Sequence, residues 1–298
     1  MIRATRSLCF AVIYFIYLIV VMPPVQGLVI RPLCALNPLR RPAILRWWFQ
    51  VQAHLVIGLA RFLGGLRVDI EGSLPDSSLI LVMNHQSLLD IPLGVSLMRG
   101  PYPVIPIRAT YTRGFPGISG LSRLAGFPSL KQGERATRAE HAAMVGAAEA
   151  VARGERTMLI YPEGHRSRDG EIQPFMAHGL KLVFRHAPRC PVYLVVIDGA
   201  WHIRSISDIA FRLAGRTVRV RVLGPFAVPT ERGDHDAFID SLRGEMVAML
   251  ARLRGREAPG ALGASGASGM SGVTGVAAAS APSGSRSAPV APHASLVG

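Results

Sequence analysis

The sequence predicts a layered α/β domain, preceded by an apolar segment and followed by a low-complexity tail. Between residues 66 and 257, short apolar runs typical of strands alternate with helical patterns, which indicates an α/β fold. An unbroken apolar run occupies residues 8–22, and residues 258–298 consist almost entirely of Ala, Gly, Ser, Pro and Val. With 298 residues, the chain is long enough for a sizeable buried core.

The N-terminal apolar run predicts a membrane segment. Residues 8–22 are short for a bilayer, which needs about 20 apolar residues, but the run gains sufficient length by continuing past Pro23 and Pro24 to Ile30. The prolines predict a kink. A cleaved signal peptide, a hairpin in one leaflet and a single spanning helix all fit this pattern. Because more arginines follow the run than precede it, we expect a retained anchor over residues 1–30, with the body in the cytoplasm.

Residues 31–65 form a basic, amphipathic region. Trp47 and Trp48 lie beside Arg46, and aromatic residues next to arginines are typical of a helix at the lipid headgroup boundary. A helix that covers the core of the domain would show a similar pattern. The sequence therefore leaves both interpretations open for this region.

The body, residues 66–257, is expected to hold the chemistry. Its patterns predict strands over residues 66–71, 78–83, 103–108, 157–160, 192–197 and 217–223, and helices over 88–98, 136–153, 176–186 and 236–253. The composition of residues 258–298 predicts a disordered tail, because so few apolar side chains cannot offset the entropy of ordering.

Charge and cysteine usage exclude several classes of protein. The net charge of +14 comes almost entirely from scattered arginines, without the basic stripe or recognisable module of a nucleic-acid-binding protein. Such a charge favours an anionic membrane surface as partner. The three cysteines are far apart in the sequence, which excludes a disulfide framework and a cysteine-based zinc site.

The first motif with chemical content is Asn84-His85-Gln86-Ser87-Leu88-Leu89-Asp90, at the end of a predicted buried strand. If His85 lies in the loop before the next helix, Asp90 in the first turn of that helix can fold back beneath its ring. A carboxylate on one ring nitrogen fixes the tautomer and leaves the other nitrogen free to accept a proton. The spacing therefore predicts a general base, although a random pair at this spacing is common.

A second motif follows another predicted strand, at residues 161–170. It contains Glu163, Gly164, Arg166 and Ser167, and arginine forks at the carboxyl end of a strand are suited to binding a phosphate. Taken alone, each piece could equally be a polar turn.

Together the two motifs resemble the glycerophospholipid acyltransferase family, particularly the bacterial 1-acylglycerol-3-phosphate acyltransferases. The first block of that family, Asn-His-x4-Asp, matches Asn84, His85 and Asp90, and its third block matches residues 161–167. The second block is faint, with Lys131 where the family has arginine and Arg135 as a substitute. The fourth block survives in part at residues 190–195. The resemblance covers residues 67–225 and implies a mixed sheet flanked by helices.

The resemblance also implies a reaction and its partners. His85 would take the proton of an acceptor hydroxyl that attacks the thioester of acyl-CoA or acyl carrier protein, with Asp90 supporting the histidine. The residues that would bind the lysophospholipid acceptor are Asn84, Lys131, Arg135, Glu163, Gly164, Arg166 and Ser167. Neither a metal nor a cofactor is expected, and the expected location is the bacterial inner membrane, with the catalytic domain facing the cytoplasm.

Several functions remain open on the sequence alone. The acceptor could be 1-acylglycerol 3-phosphate, a lyso-ornithine lipid or lysophosphatidylglycerol. A membrane-anchored lipid-binding protein without catalysis and a thioester hydrolase, in which the same base activates water, are alternatives from other classes.

Overall fold

A mixed β-sheet forms the centre of the protein. The computed structural model describes residues 2–131 and 136–256. In these residues the strands are β1 Arg67–Glu71, β2 Ile80–Met83, β3 Pro103–Val104, β4 Ile107–Arg108, β5 Ser129–Leu130, β6 Thr157–Ile160, β7 Val192–Asp198 and β8 Thr217–Phe226. Six of them form one sheet in the order β1–β8–β7–β2–β6–β3, while β4 and β5 pair separately. In the large sheet only β7 and β8 are antiparallel, so the predicted mixed sheet is confirmed.

Helices cover both faces of this sheet, as the sequence predicts. They are α1 Ile2–Leu36, α2 Arg41–Phe62, α3 Asp90–Leu97, α4 Pro116–Ala125, α5 Arg138–Ala152, α6 Ala177–His186, α7 Ile206–Arg212 and α8 His235–Leu253. One apolar core lies under α1, α2, α3 and α7, and the other lies under α5, α6 and α8.

The central strand β2 contributes to both cores. Leu81 and Met83 point into the first core, and Ile80 and Val82 point into the second. All four side chains are fully buried, which is expected of a parallel strand covered on both faces. This burial fixes the register of β2 and therefore the place where the loop after it begins.

The N-terminal apolar run is a helix whose inner side packs on the body. Two π-helical turns, Tyr17–Val21 and Gln26–Ile30, flank the prolines, and helical structure continues through them to Leu36. By length and composition alone, α1 could cross a membrane. Its inner side is nevertheless part of the first core, with Phe10 and Ile30 buried, whereas other apolar side chains such as Leu28 are exposed.

Helix α2 shows both features that the sequence leaves open. Trp48 and Phe49 are buried in the first core, so the helix covers the sheet. Trp47 is 56% exposed and Phe62 is 82% exposed, so the outer side carries large apolar groups.

The structure differs from the predicted elements in several places, one of which is the short strand β5, which the patterns do not predict. The predicted strand over 103–108 is two short strands, β3 and β4, which belong to different sheets. The sequence does not predict helix α4, because four of its first seven residues are glycine or serine. Helix α7 is only seven residues long, but Ser205 and Asp208 form a capping box, which is a signal that the sequence does carry.

Candidate active site

The loops after three neighbouring strands meet at one edge of the sheet. Strands β6 and β7 both run parallel to β2, on either side of it. Their carboxyl ends therefore lie side by side, where open α/β sheets bind ligands. The loops after β2 and β6 carry the two motifs that the sequence analysis identified.

His85 and Asp90 are hydrogen-bonded to one another. Nδ1 of His85 lies 2.9 Å from Oδ2 of Asp90, and the same oxygen accepts the backbone N–H groups of Gln86 at 2.5 Å and Ser87 at 2.6 Å. The Asp90 side chain is fully buried, while that of His85 is 17% exposed. Within the described residues, Nε2 of His85 makes no hydrogen bond. An ionised carboxylate on Nδ1 holds the proton there and leaves Nε2 as a proton acceptor.

The ring of Tyr161 packs against the imidazole. The two ring centroids are 4.4 Å apart, with the planes inclined by 32°. The phenolic oxygen is buried and has no hydrogen-bond partner among the described residues. Burial, and to a smaller extent the charge of Asp90, raises the pKa of Tyr161 well above its usual value, so its hydroxyl stays protonated. Tyr161 therefore supports the histidine ring from one side.

Glu163 holds the main chain of His85. One carboxylate oxygen accepts the backbone N–H of His85 at 2.7 Å, and the other accepts the backbone N–H of Gln173 at 2.8 Å. The residue is only 2% exposed. Burial raises the pKa of the Glu163 carboxyl to about 7, although the two N–H donors act in the opposite direction.

A large apolar cavity opens beside His85. Its volume is about 590 Å³, within the range typical of ligand sites. Helix α1 supplies one wall, including Phe15 and Leu18, and α2 supplies another, including Val56. The polar residues that share the lining with His85 include Arg166 and Arg204. A histidine with a free ring nitrogen, an arginine and room for a hydrocarbon chain therefore meet in one place.

Comparison with known proteins agrees with this geometry. Residues 66–198 match the family model described as Acyltransferase. The chain is 28% identical over 207 residues to "1-acyl-sn-glycerol-3-phosphate acyltransferase alpha" of Mus musculus, covering 67% of this chain and 69% of that protein. It is 24% identical over 220 residues to a 1-acyl-sn-glycerol-3-phosphate acyltransferase of Cocos nucifera, covering 70% of this chain and 67% of that protein.

A solved structure has the same fold. The crystal structure of PlsC from Thermotoga maritima, titled a 1-acyl-sn-glycerophosphate acyltransferase, superposes with a TM-score of 0.62 at 22% identity. The match covers 83% of this chain and 95% of that one. Residues 66–198 therefore form an acyltransferase domain, and the chain is similar to the glycerophospholipid acyltransferases. The resemblance seen in its two motifs is thereby confirmed.

Within the acyltransferase, two other predicted binding residues hold its loops together. Asn84 exchanges two hydrogen bonds with the backbone of Ile197 in β7, at 2.9 and 2.7 Å. The backbone N–H of Ser167 donates to the carbonyl of His85 at 2.7 Å, and its hydroxyl lies 2.9 Å from both Asp169 and the carbonyl of Glu171. Like Glu163, these side chains are buried and use their polar groups inside the protein. Direct contact with substrate stays a prediction for all three.

The predicted basic residues are in different places. Arg166 lines the cavity of the acyltransferase, and its guanidinium donates to the backbone carbonyl of Arg204. Lys131 follows β5, where its backbone N–H donates to Glu140 at 2.7 Å, and it is not among the residues that line the cavity. Arg135 lies outside the described residues, as does the predicted tail over 258–298.

Gly164 and Arg108 connect the small sheet to the second motif. Gly164 has a φ of +68°, a left-handed conformation that glycine adopts without strain. Its carbonyl accepts a hydrogen bond of 2.7 Å from the guanidinium of Arg108 in β4. The sequence does not indicate Arg108 as a site residue, because the pairing of β4 with β5 is not visible in the pattern.

Arg254, directly after α8, forms hydrogen bonds with the loop after β6 and with the end of β7. Its guanidinium bonds Asp198 at 2.7 and 2.9 Å, Glu171 at 2.8 Å and the carbonyl of Gly170 at 2.8 Å. The same carbonyl accepts the side-chain amide of Gln86 at 3.1 Å, next to His85. Only folding brings Arg254 to this loop, so no signal in the sequence could identify it.

Proposed function

We propose that this acyltransferase moves a fatty acyl group from a thioester to the free hydroxyl of a lysophospholipid. The most specific form of the proposal is 1-acylglycerol 3-phosphate as acceptor and phosphatidate as product. The observation that carries it is the His85–Asp90 pair beside an apolar cavity that Arg166 also lines. The names of the relatives from Mus musculus and Cocos nucifera support the choice of acceptor.

The proposed reaction uses His85 first as a base and then as an acid. Nε2 accepts the proton of the acceptor hydroxyl as the oxygen attacks the thioester carbonyl. Asp90 stabilises the imidazolium that forms. When the tetrahedral intermediate collapses, the C–S bond breaks, and the leaving thiolate takes the proton back from Nε2. The products are the ester and the free thiol, and the step requires neither a metal nor a cofactor.

The cavity offers apolar walls for an acyl chain and an arginine for a phosphate group. An acyl chain that binds against the apolar side chains of α1 and α2 is removed from contact with water, which is favourable. A phosphate gains charge-assisted hydrogen bonds from Arg166. Asn84, Glu163 and Ser167 position the loops, and their direct contact with the acceptor stays a prediction. Gly164, Lys131 and Arg135 are likewise proposed contacts of the acceptor. The donor is proposed to be acyl-CoA or acyl carrier protein.

The exposed apolar side chains suggest where this reaction takes place. Helix α1 carries exposed apolar groups on its outer side, and Trp47 and Phe62 do the same on α2. Because the inner side of α1 packs on the body, we propose that the helix stays attached and lies in one leaflet. The arginines that follow it favour the cytoplasmic face of a bacterial inner membrane.

An acyl-transfer assay with purified full-length protein in detergent tests the proposed function. The acceptors are 1-acylglycerol 3-phosphate, lysophosphatidylglycerol and a lyso-ornithine lipid, each with acyl-CoA and with acyl carrier protein as donor. We expect a diacyl product and one free thiol per ester formed. The absence of product with every lyso-lipid, or release of free fatty acid alone, would overturn the proposal.

A further inference from the structure

Two arginines share the cavity with the catalytic histidine. Arg166 comes from the loop after β6, and Arg204 comes from the loop after β7, outside the four sequence blocks of the family. The two are in direct contact, because the guanidinium of Arg166 donates to the carbonyl of Arg204. The edge of the sheet therefore brings two arginines to the cavity lining that also includes His85.

Neither guanidinium is neutralised by a carboxylate. In residues 2–131 and 136–256, no acidic side chain forms an ion pair with Arg166 or Arg204, and Nε of Arg204 is buried without a hydrogen-bond partner. Asp208 is the acidic residue nearest to Arg204 in the sequence. Its carboxylate instead accepts the backbone N–H groups of Arg204 and Ser205 and pairs with Arg212 at 3.3 Å.

Two partly buried cations without a counter-ion favour the binding of an anion. Burial away from water disfavours each charge, and like charges in one cavity repel one another. An anion bound between them removes both costs, and arginine forks match the oxygens of a phosphate.

We infer that Arg204 is a second guanidinium of the acceptor site, and that the arginine pair selects a phosphomonoester over a phosphodiester. This inference rests on the proposed function and narrows its acceptor class. A phosphomonoester carries close to two negative charges at neutral pH, because its second pKa is about 6, whereas a diester carries one. It also presents three terminal oxygens, enough for both arginines, whereas a diester presents two.

The experiment compares two acceptors with one acyl donor. The value of kcat/KM is measured for 1-acylglycerol 3-phosphate and for lysophosphatidylglycerol with the wild type and with Arg204→Ala and Arg204→Lys. Arg212→Gln is the matched control, because Arg212 follows on the same segment but does not line the cavity. All substitutions leave the backbone groups of Arg204 in place, and thermal unfolding checks that each variant is folded.

We expect Arg204→Ala to lower kcat/KM for the monoester roughly 10- to 100-fold, the worth of a charged hydrogen bond, and for the diester less than about threefold. Arg204→Lys should recover part of the loss, because lysine keeps the charge without the fork. In the wild type, the preference for the monoester should increase as pH rises through about 6, and Arg204→Ala should weaken that dependence, because Arg166 alone remains.

Two results would overturn the inference while leaving the proposed function intact. One is an unchanged ratio of monoester to diester in Arg204→Ala. The other is a raised KM for the acyl donor with both acceptors, which would assign Arg204 to a phosphate of the donor. If the wild type acylates neither of these acceptors nor the lyso-ornithine lipid, the proposed function itself fails.

Discussion

Glu163 should make the stability of the protein depend on pH across the neutral range. Burial raises the pKa of its carboxyl from 4.5 to about 7 in the folded protein. The folded state therefore binds this proton more tightly than the unfolded chain does. The stabilisation is fully present below pH 4.5 and is lost as pH rises through about 7.

The size of this effect follows from the pKa difference. A rise from 4.5 to about 7 corresponds to roughly 3 kcal/mol in the free energy of unfolding between low and high pH. For a domain of this size, about 2–4 °C of melting temperature accompany each kcal/mol, so the wild type should lose roughly 6–12 °C.

Glu163→Gln separates the charge from the shape of the side chain. The amide oxygen can accept from either His85 or Gln173, but not from both, so the variant should lose about 1–3 kcal/mol at pH 5. Because an amide does not ionise, the variant lacks the decline that the carboxyl causes. The difference between the two proteins should therefore shrink or change sign above pH 7.

The measurement is thermal unfolding in detergent from pH 4 to pH 8.5, followed by tryptophan fluorescence. Glu71→Gln is the control, because the side chain of Glu71 is 75% exposed and pairs with Arg221 at the edge strand. That variant should follow the pH profile of the wild type. Parallel profiles for Glu163→Gln and the wild type would refute the assignment of the titration to Glu163.

Three further predictions concern distant parts of the molecule. Arg254→Ala should lower kcat about 10- to 100-fold with little change in the KM of the acceptor, because the loop beside His85 loses the hydrogen bonds that hold it. The control Arg256→Ala should change kcat less than twofold, and equal effects of the two variants would contradict this role. Gly117→Ala should lower the free energy of unfolding by about 1–3 kcal/mol, because the added Cβ would lie 2.6 Å from the carbonyl oxygen of Leu18 in α1. The control Gly146→Ala, where the Cβ meets open space, should be neutral or stabilising, and a neutral Gly117→Ala would argue that α1 does not pack there. Ending the chain after Glu257 should leave specific activity unchanged, because the sequence beyond it lacks apolar periodicity, and a loss of activity would show that the tail binds or packs.

Much of the fold is predictable because the sheet is buried on both faces. Strands such as β2 and β6 are short apolar runs that end at polar motifs, and their ends are visible in the sequence. The division of residues 103–108 between two sheets is not visible, because it depends on which strands β3 and β4 meet. The packing of α1 on the body is equally hidden, since an apolar helix has the same composition against lipid and against protein.

The sequence predicts those contacts of the site that join residues close together in the chain. The five-residue spacing of His85 and Asp90 suggested their hydrogen bond, which the structure contains. The roles of buried polar residues are harder to predict, because Glu163 and Asn84 find their partners across strands. Arg204 and Arg254 follow no motif, and only the fold brings them to the site.

The most direct test of the central claim is the turnover of His85→Ala with 1-acylglycerol 3-phosphate and acyl-CoA. We expect kcat to fall at least 10²–10⁴-fold, the effect of losing a positioned acid–base group, while thermal unfolding stays close to that of the wild type. Asp90→Asn should be nearly as severe, because an amide cannot stabilise the imidazolium. The exposed histidine variant His141→Ala should turn over normally. Near-normal turnover by folded His85→Ala would contradict the proposed base and with it the mechanism.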